Sequence, residues 1–382
     1  MNYKNNYQSC IQCVMDTTDP LISFDARGVC NHCLGFNEKA KTEWFPNQEG
    51  RSRWELLVKK IQDAGRGQEY DCILGLSGGV DSSYLAIKVK EWGLRPLVMH
   101  VDAGWNTELA VANIESIVKY CKYDLHTHVV DWEDVRDLQL AYLRAAVANQ
   151  DVPQDHIFFA SLYHFATKNK IQYILSGGNL ATEGIFPGAW HGSAMDSINL
   201  KAIHKSYGAR KLEHYKTISF FDTYIWYPFI KGMRTVRPLN YMPYHKASAL
   251  KELEATVGYK PYPRKHGESL FTKIFQNYYL PTKFGFDKRR PHLSSLIASK
   301  QMSRDEAIAK LEEPLYDKAE LETDITYFCK KLRISRSDFN ELMSAPVHHY
   351  SEFPNWNRRY RYLKNIQRLL GRIMGRDIKV YS

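Results

Sequence analysis

The sequence contains no run of about 18 apolar residues, the length a helix needs to cross a bilayer. Its first residues, Met1-Asn2-Tyr3-Lys4-Asn5-Asn6, lack the apolar stretch of a secretory signal. Both absences lead to the expectation of a cytoplasmic protein without integral membrane contact. Glycine and proline are sparse, at 22 and 15 of 382 residues, which excludes collagen-like and low-complexity classes. Cysteine is sparse as well, and outside one cluster only Cys72, Cys121 and Cys329 occur, so no disulfide framework is expected. Neither the G-x4-G-K-[ST] nor the G-x-G-x-x-G phosphate motif is present. What remains is ordinary for a folded chain, with 44% hydrophobic and 25% charged residues. That length can form two or three domains, each with a core of its own.

Charge is uneven. Residues 1–230 hold 23 basic and 26 acidic side chains, while residues 231–382 hold 29 and 16. The whole excess behind the net charge of +10 therefore lies at the C-terminal end. It reads either as a solvated basic surface or as a surface for something anionic: a nucleotide, a nucleotide sugar, RNA or an acidic subunit.

Four of the seven cysteines, Cys10, Cys13, Cys30 and Cys33, follow the pattern C-x2-C-x16-C-x2-C. Two such knuckles can complete a tetrahedral thiolate shell, which suits a structural Zn²⁺. An iron–sulfur cluster is the competing occupant. The segment Asp25-Ala26-Arg27-Gly28 reads as a turn leading into the second knuckle.

Tyr70–Leu76 reads as a short buried strand, followed by Ser77-Gly78-Gly79-Val80-Asp81-Ser82-Ser83 and a helix from Ser83 to about Trp92. Gly78 and Gly79 free the backbone to turn N–H groups toward an anion. The helix N-terminus adds its dipole. Ser77, Ser82 and Ser83 add hydroxyl donors, and Asp81 can hold Mg²⁺ on bound phosphates. Further strands are expected at 95–102, 126–130 and 171–175, with helices at about 133–149 and 156–169 between the last two. Arg237-Pro238-Leu239 and the pattern His245 to Thr256 read as a closing strand and helix. Polar residues end these strands: Asp102 after the second, and Gly178, Asn179 and Glu183 after the fourth. Ligands sit at such ends in a doubly wound parallel sheet.

The loop resembles the SGGxDS loop of the PP-loop ATP pyrophosphatases. That resemblance implies an α/β fold of the adenine nucleotide alpha hydrolase type, with ATP held by Ser77 to Ser83, Asp102, Gly178, Asn179 and Glu183. It also implies release of AMP and pyrophosphate. AMP transferred to an amide or carboxyl oxygen makes that oxygen leave readily, and ammonia or a sulfur nucleophile then attacks the carbon. No cysteine pair outside the N-terminal cluster suits sulfur transfer, so ammonia is the expected nucleophile. There is no Gly-Cys-Gly turn and no cysteine at position 2 for a built-in glutaminase.

The stretches Tyr259–Pro281 and Lys283–Ile297, together with the cysteine knuckles and SGGVDSS, resemble the N-acetyl sugar amidotransferase family of bacterial surface-polysaccharide synthesis. The resemblance implies conversion of an acetamido group on a nucleotide-linked sugar to an acetamidino group. It also implies ammonia from glutaminase and cyclase-like partner subunits, and a place in lipopolysaccharide O-antigen or surface-glycan synthesis. Three regions are expected: a zinc ribbon at 1–45, an ATP pyrophosphatase domain at 50–258, and a mainly helical basic region at 259–382. Asp81, Ser82, Lys265 and Glu268 are the candidates for catalysis. Arg264, His266, Lys288, Arg289 and Arg290 are the candidates for substrate binding, by charge-assisted hydrogen bonds. A tRNA-modifying, thiolating PP-loop enzyme is the alternative. The leading reading involves no nucleic acid, and it leaves the oligomeric state open, a homodimer included. Ser303-Arg304-Asp305-Glu306 reads as a capping box, and the tail from Asn357 as a basic amphipathic helix.

Overall fold

In the computed structural model, residues 7–262 and 267–374 are described, the last five of these by their backbone alone. After the paired cysteines come α1 (Asn31–Glu43) and α2 (Gln48–Ala64). Then β1 (Cys72–Gly75), α3 (Val80–Glu91), β2 (Pro96–Asp102), α4 (Glu108–Cys121) and β3 (Leu125–Val129) alternate. The chain continues through α5 (Trp132–Arg144), α6 (Val152–Lys168), β4 (Tyr173–Leu175), α7 (Leu180–Glu183) and α8 (Ser197–Tyr207). A π-helical segment, Asp222–Ile230, precedes β5 (Arg234–Val236) and α9 (Lys246–Val257). The remainder is helical: α10 (Leu270–Ile274), α11 (Leu280–Phe284), α12 (Arg289–Ala298), α13 (Arg304–Glu312), α14 (Lys318–Leu332), α15 (Arg336–Ser344) and α16 (Asn357–Met374).

The five strands are all parallel, in the order β3-β2-β1-β4-β5. Alternate residues of β1 feed two cores. Cys72 and Leu74 pack with Leu85, Ile114 and Leu253 of α3, α4 and α9. Ile73 packs on the other face with Leu138, Ile157 and Leu200 of α5, α6 and α8. Strands buried on both faces read as continuous apolar runs, which is why 70–76 and 95–102 were legible. A third core of Trp105, Phe271, Phe275, Phe328 and Phe339 belongs to the C-terminal helices. The direction of chain order reverses between β1 and β4, so the loops after these two strands open a crevice at the sheet's C-terminal edge.

Some expected boundaries move. The closing strand is Arg234–Val236 rather than 237–239. Pro238 cannot donate to a ladder and instead starts a 3-10 turn, Pro238–Tyr241. The helix expected to 149 stops at Arg144, where Gln150 Nε2 donates to the carbonyls of Tyr142 (2.8 Å) and Val147 (2.9 Å). Ser303 and Glu306 form the capping box as expected.

Candidate functional site

The loop after β1 is shaped by its glycines. Gly78 sits at φ +84°, and a Cβ there would lie 3.1 Å from the Ala110 carbonyl oxygen. Gly79 is the N-cap of α3, and no side chain caps that helix. Its first-turn N–H groups are left without a capping side chain, an arrangement that suits a bound anion. Ser77 and Ser82 lie beside them, their hydroxyls 3.1 Å apart. The Gly79 N–H donates to Ser77 Oγ at 3.3 Å and the Ser82 hydroxyl to the Gly79 carbonyl at 3.2 Å. The residues present fit a pyrophosphate.

Ser83 departs from expectation. Its side chain is fully buried, and its hydroxyl has no partner among the described residues. It lies on the core side of α3 and supplies no donor to the cradle. Val80 is half-buried and packs against the first core.

Asp81 is fixed from two sides. The Tyr244 hydroxyl donates to Oδ1, and Thr182 Oγ1 donates to Oδ2 at 3.2 Å. Burial, and then Asp81 itself, push the Tyr244 phenol up, so it stays a donor. An ionised carboxylate keeps further lone pairs after two such bonds, enough to hold a metal ion. Thr182 is placed by Asn179, which caps α7 through the Thr182 N–H at 3.0 Å. Asn179 thus acts on the site through Thr182.

The loop after β4 touches the loop after β1. A Cβ on Gly177 would lie 2.8 Å from the Ser82 nitrogen. A Cβ on Gly178 would lie 3.8 Å from Glu183 Oε2 and 4.0 Å from Arg237 Nε, so both side chains border this crevice. On the opposite side, Glu268 Oε1 would lie 3.6 Å from a Cβ on Gly79. Its backbone is held by the Thr107 N–H, which donates to the Glu268 carbonyl at 3.0 Å. Asp102 ends β2 and accepts from the Gly104 N–H at 2.7 Å.

Besides Thr182, four residues at the loop are not legible from the sequence. Tyr259 and Tyr262 hydroxyls donate to the Gly78 carbonyl at 2.8 and 3.1 Å. His100 Nδ1 donates to the Leu76 carbonyl at 2.9 Å and Nε2 accepts from Asn106. Tyr244 completes the set. The two tyrosines lie in the Tyr259–Pro281 stretch, and nothing local in sequence couples them to Gly78.

The basic run at 288–290 splits three ways. Lys288 is buried against His191, with Asp151, Asp155 and Glu183 nearby. Burial draws its amine down to about 8, despite those carboxylates. Burial and Lys288 likewise push His191 down. Arg289 is not aimed at a ligand: it pairs with Asp287 at 2.8 Å and donates to the carbonyls of Lys310, Leu311 and Glu313 at the end of α13. Arg290 is likewise used within the fold. It pairs with buried Asp16 at 3.0 Å and donates to the Val14 carbonyl at 2.8 Å. The expectation that both arginines bind substrate is corrected on these contacts. Arg264, Lys265 and His266 lie outside the described residues.

The four N-terminal cysteines converge. Their sulfurs lie within 4.8 Å of one another, with Cys10–Cys33 at 4.0 Å and Cys13–Cys30 at 3.7 Å. Zn–S bonds of about 2.3 Å in a tetrahedron put sulfurs about 3.8 Å apart, so the set fits zinc. Backbone N–H groups of Gln12, Met15 and Cys30 point at these sulfurs at 3.3–3.4 Å. The cluster is tied to the C-terminal helices. Arg304 donates to the carbonyls of Cys10 and Cys13, and Ser294 Oγ accepts from the Val14 N–H at 3.2 Å. The same helix, α12, also reaches the loop after β4: Ser295 Oγ accepts from the Ile185 N–H, and the Ser299 hydroxyl donates to the Ala181 carbonyl.

Residues 268–367 match the family model described as LPS biosynthesis protein WbpG-like, C-terminal domain. A search of curated proteins finds no match. Among solved structures, NAD+ synthetase from Burkholderia pseudomallei is similar at 16% identity, over 78% of this chain and 95% of that chain, with a TM-score of 0.32. NH3-dependent NAD synthetase from Campylobacter jejuni subsp. jejuni NCTC 11168 covers 41% of this chain and 72% of its own at 12% identity, TM-score 0.29. NMN synthetase from Francisella tularensis covers 57% and 98% at 14% identity, TM-score 0.27.

Proposed function

We propose that the protein is an ATP-dependent, AMP-forming amidotransferase acting on the acetamido group of a nucleotide-activated sugar of the UDP-diacetamido-uronic acid type. The observation that carries this reading is the joining of two parts at one crevice. The uncapped α3 N-terminus with Ser77, Ser82 and an anchored Asp81 suits a pyrophosphate and its Mg²⁺. The first residue of the WbpG-like domain, Glu268, stands over the same loop.

In the proposed reaction the amide oxygen attacks the α-phosphorus of ATP and pyrophosphate leaves. Ammonia then adds to the activated carbon, loses a proton, and AMP departs with the former amide oxygen, leaving an amidine. The N–H groups at the start of α3 stabilise the charge that builds on departing pyrophosphate. Asp81 would hold the Mg²⁺ that neutralises charge on the phosphates. Glu268 is placed to orient the nucleophile or a sugar hydroxyl. Ammonia would come from separate glutaminase and cyclase-like subunits, and the product would serve O-antigen or surface-glycan synthesis. Zinc at Cys10, Cys13, Cys30 and Cys33 would hold the N-terminal knuckles together and supply no chemistry to the crevice.

The thiolating alternative, suggested by the basic C-terminal half and the cysteine knuckles, lacks a sulfur carrier. Cys72, Cys121 and Cys329 are all buried, and burial pushes each thiol up, Cys121 to about 11. A sulfur carrier needs an accessible thiolate.

The test is mass spectrometry of the purified protein with Mg-ATP, ammonium and UDP-diacetamido-uronic acid. The reading predicts a product lighter by about 1 Da and AMP in equal amount, since NH replaces oxygen and one ATP is spent per turnover. An unchanged sugar with AMP release driven by bulk tRNA would overturn it.

A further inference from the structure

The π-helical segment Asp222–Ile230 carries more than core. Its inner residues Tyr224 and Tyr227 are buried, and Tyr227 stacks on Tyr163 at 4.5 Å. Pro228 lies inside the segment and has no N–H for an α-type bond, which accounts for the wide turns. The other side is a ridge of Phe221, Ile225, Trp226, Phe229 and Ile230, from 36% to 63% exposed. Five large apolar side chains in ten residues are not scattered surface residues but a patch.

A second unpartnered surface adjoins the ridge. Tyr224 contacts Trp356 and Tyr360, at 5.6 Å each, where α16 begins. Beyond Tyr360 nearly every described residue of α16 is exposed, so the helix leaves the body of the protein. Tyr362, Ile366 and Leu369, at helical spacing, are 54–58% exposed. Arg361, Lys364 and Arg368 share another side of the helix, Arg358 lies at the edge of the stripe, and α16 contains no Asp or Glu. None of these cations pairs with a carboxylate among the described residues. Lys231 sits over the Trp226 ring at 5.3 Å, adding a cation to the ridge itself.

We propose that the aromatic ridge 221–230 and the basic face of α16 form one docking surface for an anionic phospholipid bilayer. The chemistry of the surface selects this occupant. Apolar and aromatic side chains insert at the headgroup–acyl boundary, while unpaired cations meet lipid phosphates. Trp and Tyr favour that boundary because each has an apolar body and a polar edge. An acidic protein face would satisfy the cations but leave the ridge in contact with charge. No helix among the described residues is long and apolar enough to cross a membrane, so the contact is peripheral.

The experiment uses the full chain with vesicles of phosphatidylcholine alone or with about one-third phosphatidylglycerol. Cosedimentation should favour the anionic vesicles by at least about tenfold at low salt and weaken as salt screens the cations. Arg361→Glu/Lys364→Glu/Arg368→Glu and, separately, Trp226→Ser/Phe229→Ser should each lower the partition at least about tenfold, while ATP-dependent AMP release stays unchanged. Brominated lipid in the native chain gives a readout that needs no disruptive variant. It should quench a tryptophan signal that Trp226→Phe removes. Absence of binding to anionic vesicles at low salt overturns the proposal, as does binding that neither variant weakens. If the ridge variant instead converts a dimer to a monomer in sedimentation, with no lipid binding, the surface is a contact between copies and the proposal fails.

Discussion

The N-termini of α3 and α12 are built from the same backbone and serve opposite ends. At α3 two glycines and two serines leave the first N–H groups without a protein acceptor, and Asp81 is braced by Tyr244 and Thr182. At α12 three cations stand in line, and each has a partner inside the fold: His191 for Lys288, Asp287 and the end of α13 for Arg289, Asp16 for Arg290. One helix start has no capping side chain and, under the proposed function, receives the pyrophosphate. The other is a fastener, joining the cysteine module and the loop after β4 to the C-terminal region. Positive charge in line is therefore no sign by itself of an anion site, since all three cations at α12 are engaged within the fold.

The contrast can be broken at several points. The largest effect is expected at the metal. A strong chelator, or Cys30→Ser, should release one zinc and melt the N-terminal knuckles, because folding of such modules is coupled to metal binding. Metal analysis and circular dichroism check this, and an iron–sulfur absorbance would identify the other occupant. Next is Gly177→Val. Its new side chain meets the Ser82 nitrogen, so the two loops must part. AMP formation should fall at least about 100-fold through lost transition-state positioning, and the melting temperature should fall as well, because the clash is with backbone.

Arg290→Met leaves the buried Asp16 without its ion pair and should cost about 3 kcal/mol of stability, measured by urea denaturation. Arg289→Met should cost about 1–2 kcal/mol, as α13 loses the donors to its last carbonyls. Below their melting temperatures both variants should keep AMP formation within about twofold, if neither arginine touches substrate. The effect of Lys288 is read in the pH dependence of stability rather than at one pH. Its amine titrates near 8 in the folded chain and near 10.5 when unfolded. Between these values the unfolded chain binds more protons, so stability from this residue rises as pH climbs from about 8 to 10.5. Below about 8 the cost of its buried charge is fully present. Lys288→Met should flatten that slope in melting curves.

Legibility follows how local the cause is. The strand–loop–helix at 72–91 was readable because glycines, apolar run and helix start are adjacent in sequence. The cysteine spacing was readable for the same reason. Ser83 misled because a hydroxyl in a serine run looks like a donor until helix phase turns it to the core. Arg289 and Arg290 misled because, Asp287 apart, their partners are distant in sequence, Lys310 lying 21 residues from Arg289 and Val14 276 from Arg290. Tyr244, Tyr259 and Tyr262 were unreadable as site residues, since only the return of α9 and the segment after it brings them over the loop.

The most direct test of the central claim is AMP formation by Asp81→Ala beside Arg289→Met, each given Mg-ATP, ammonium and the diacetamido sugar. Loss of at least about 100-fold in the first variant and retention in the second would establish that chemistry sits at the open helix start and not at the basic one. Equal activity in both, or loss confined to Arg289→Met, would contradict the account.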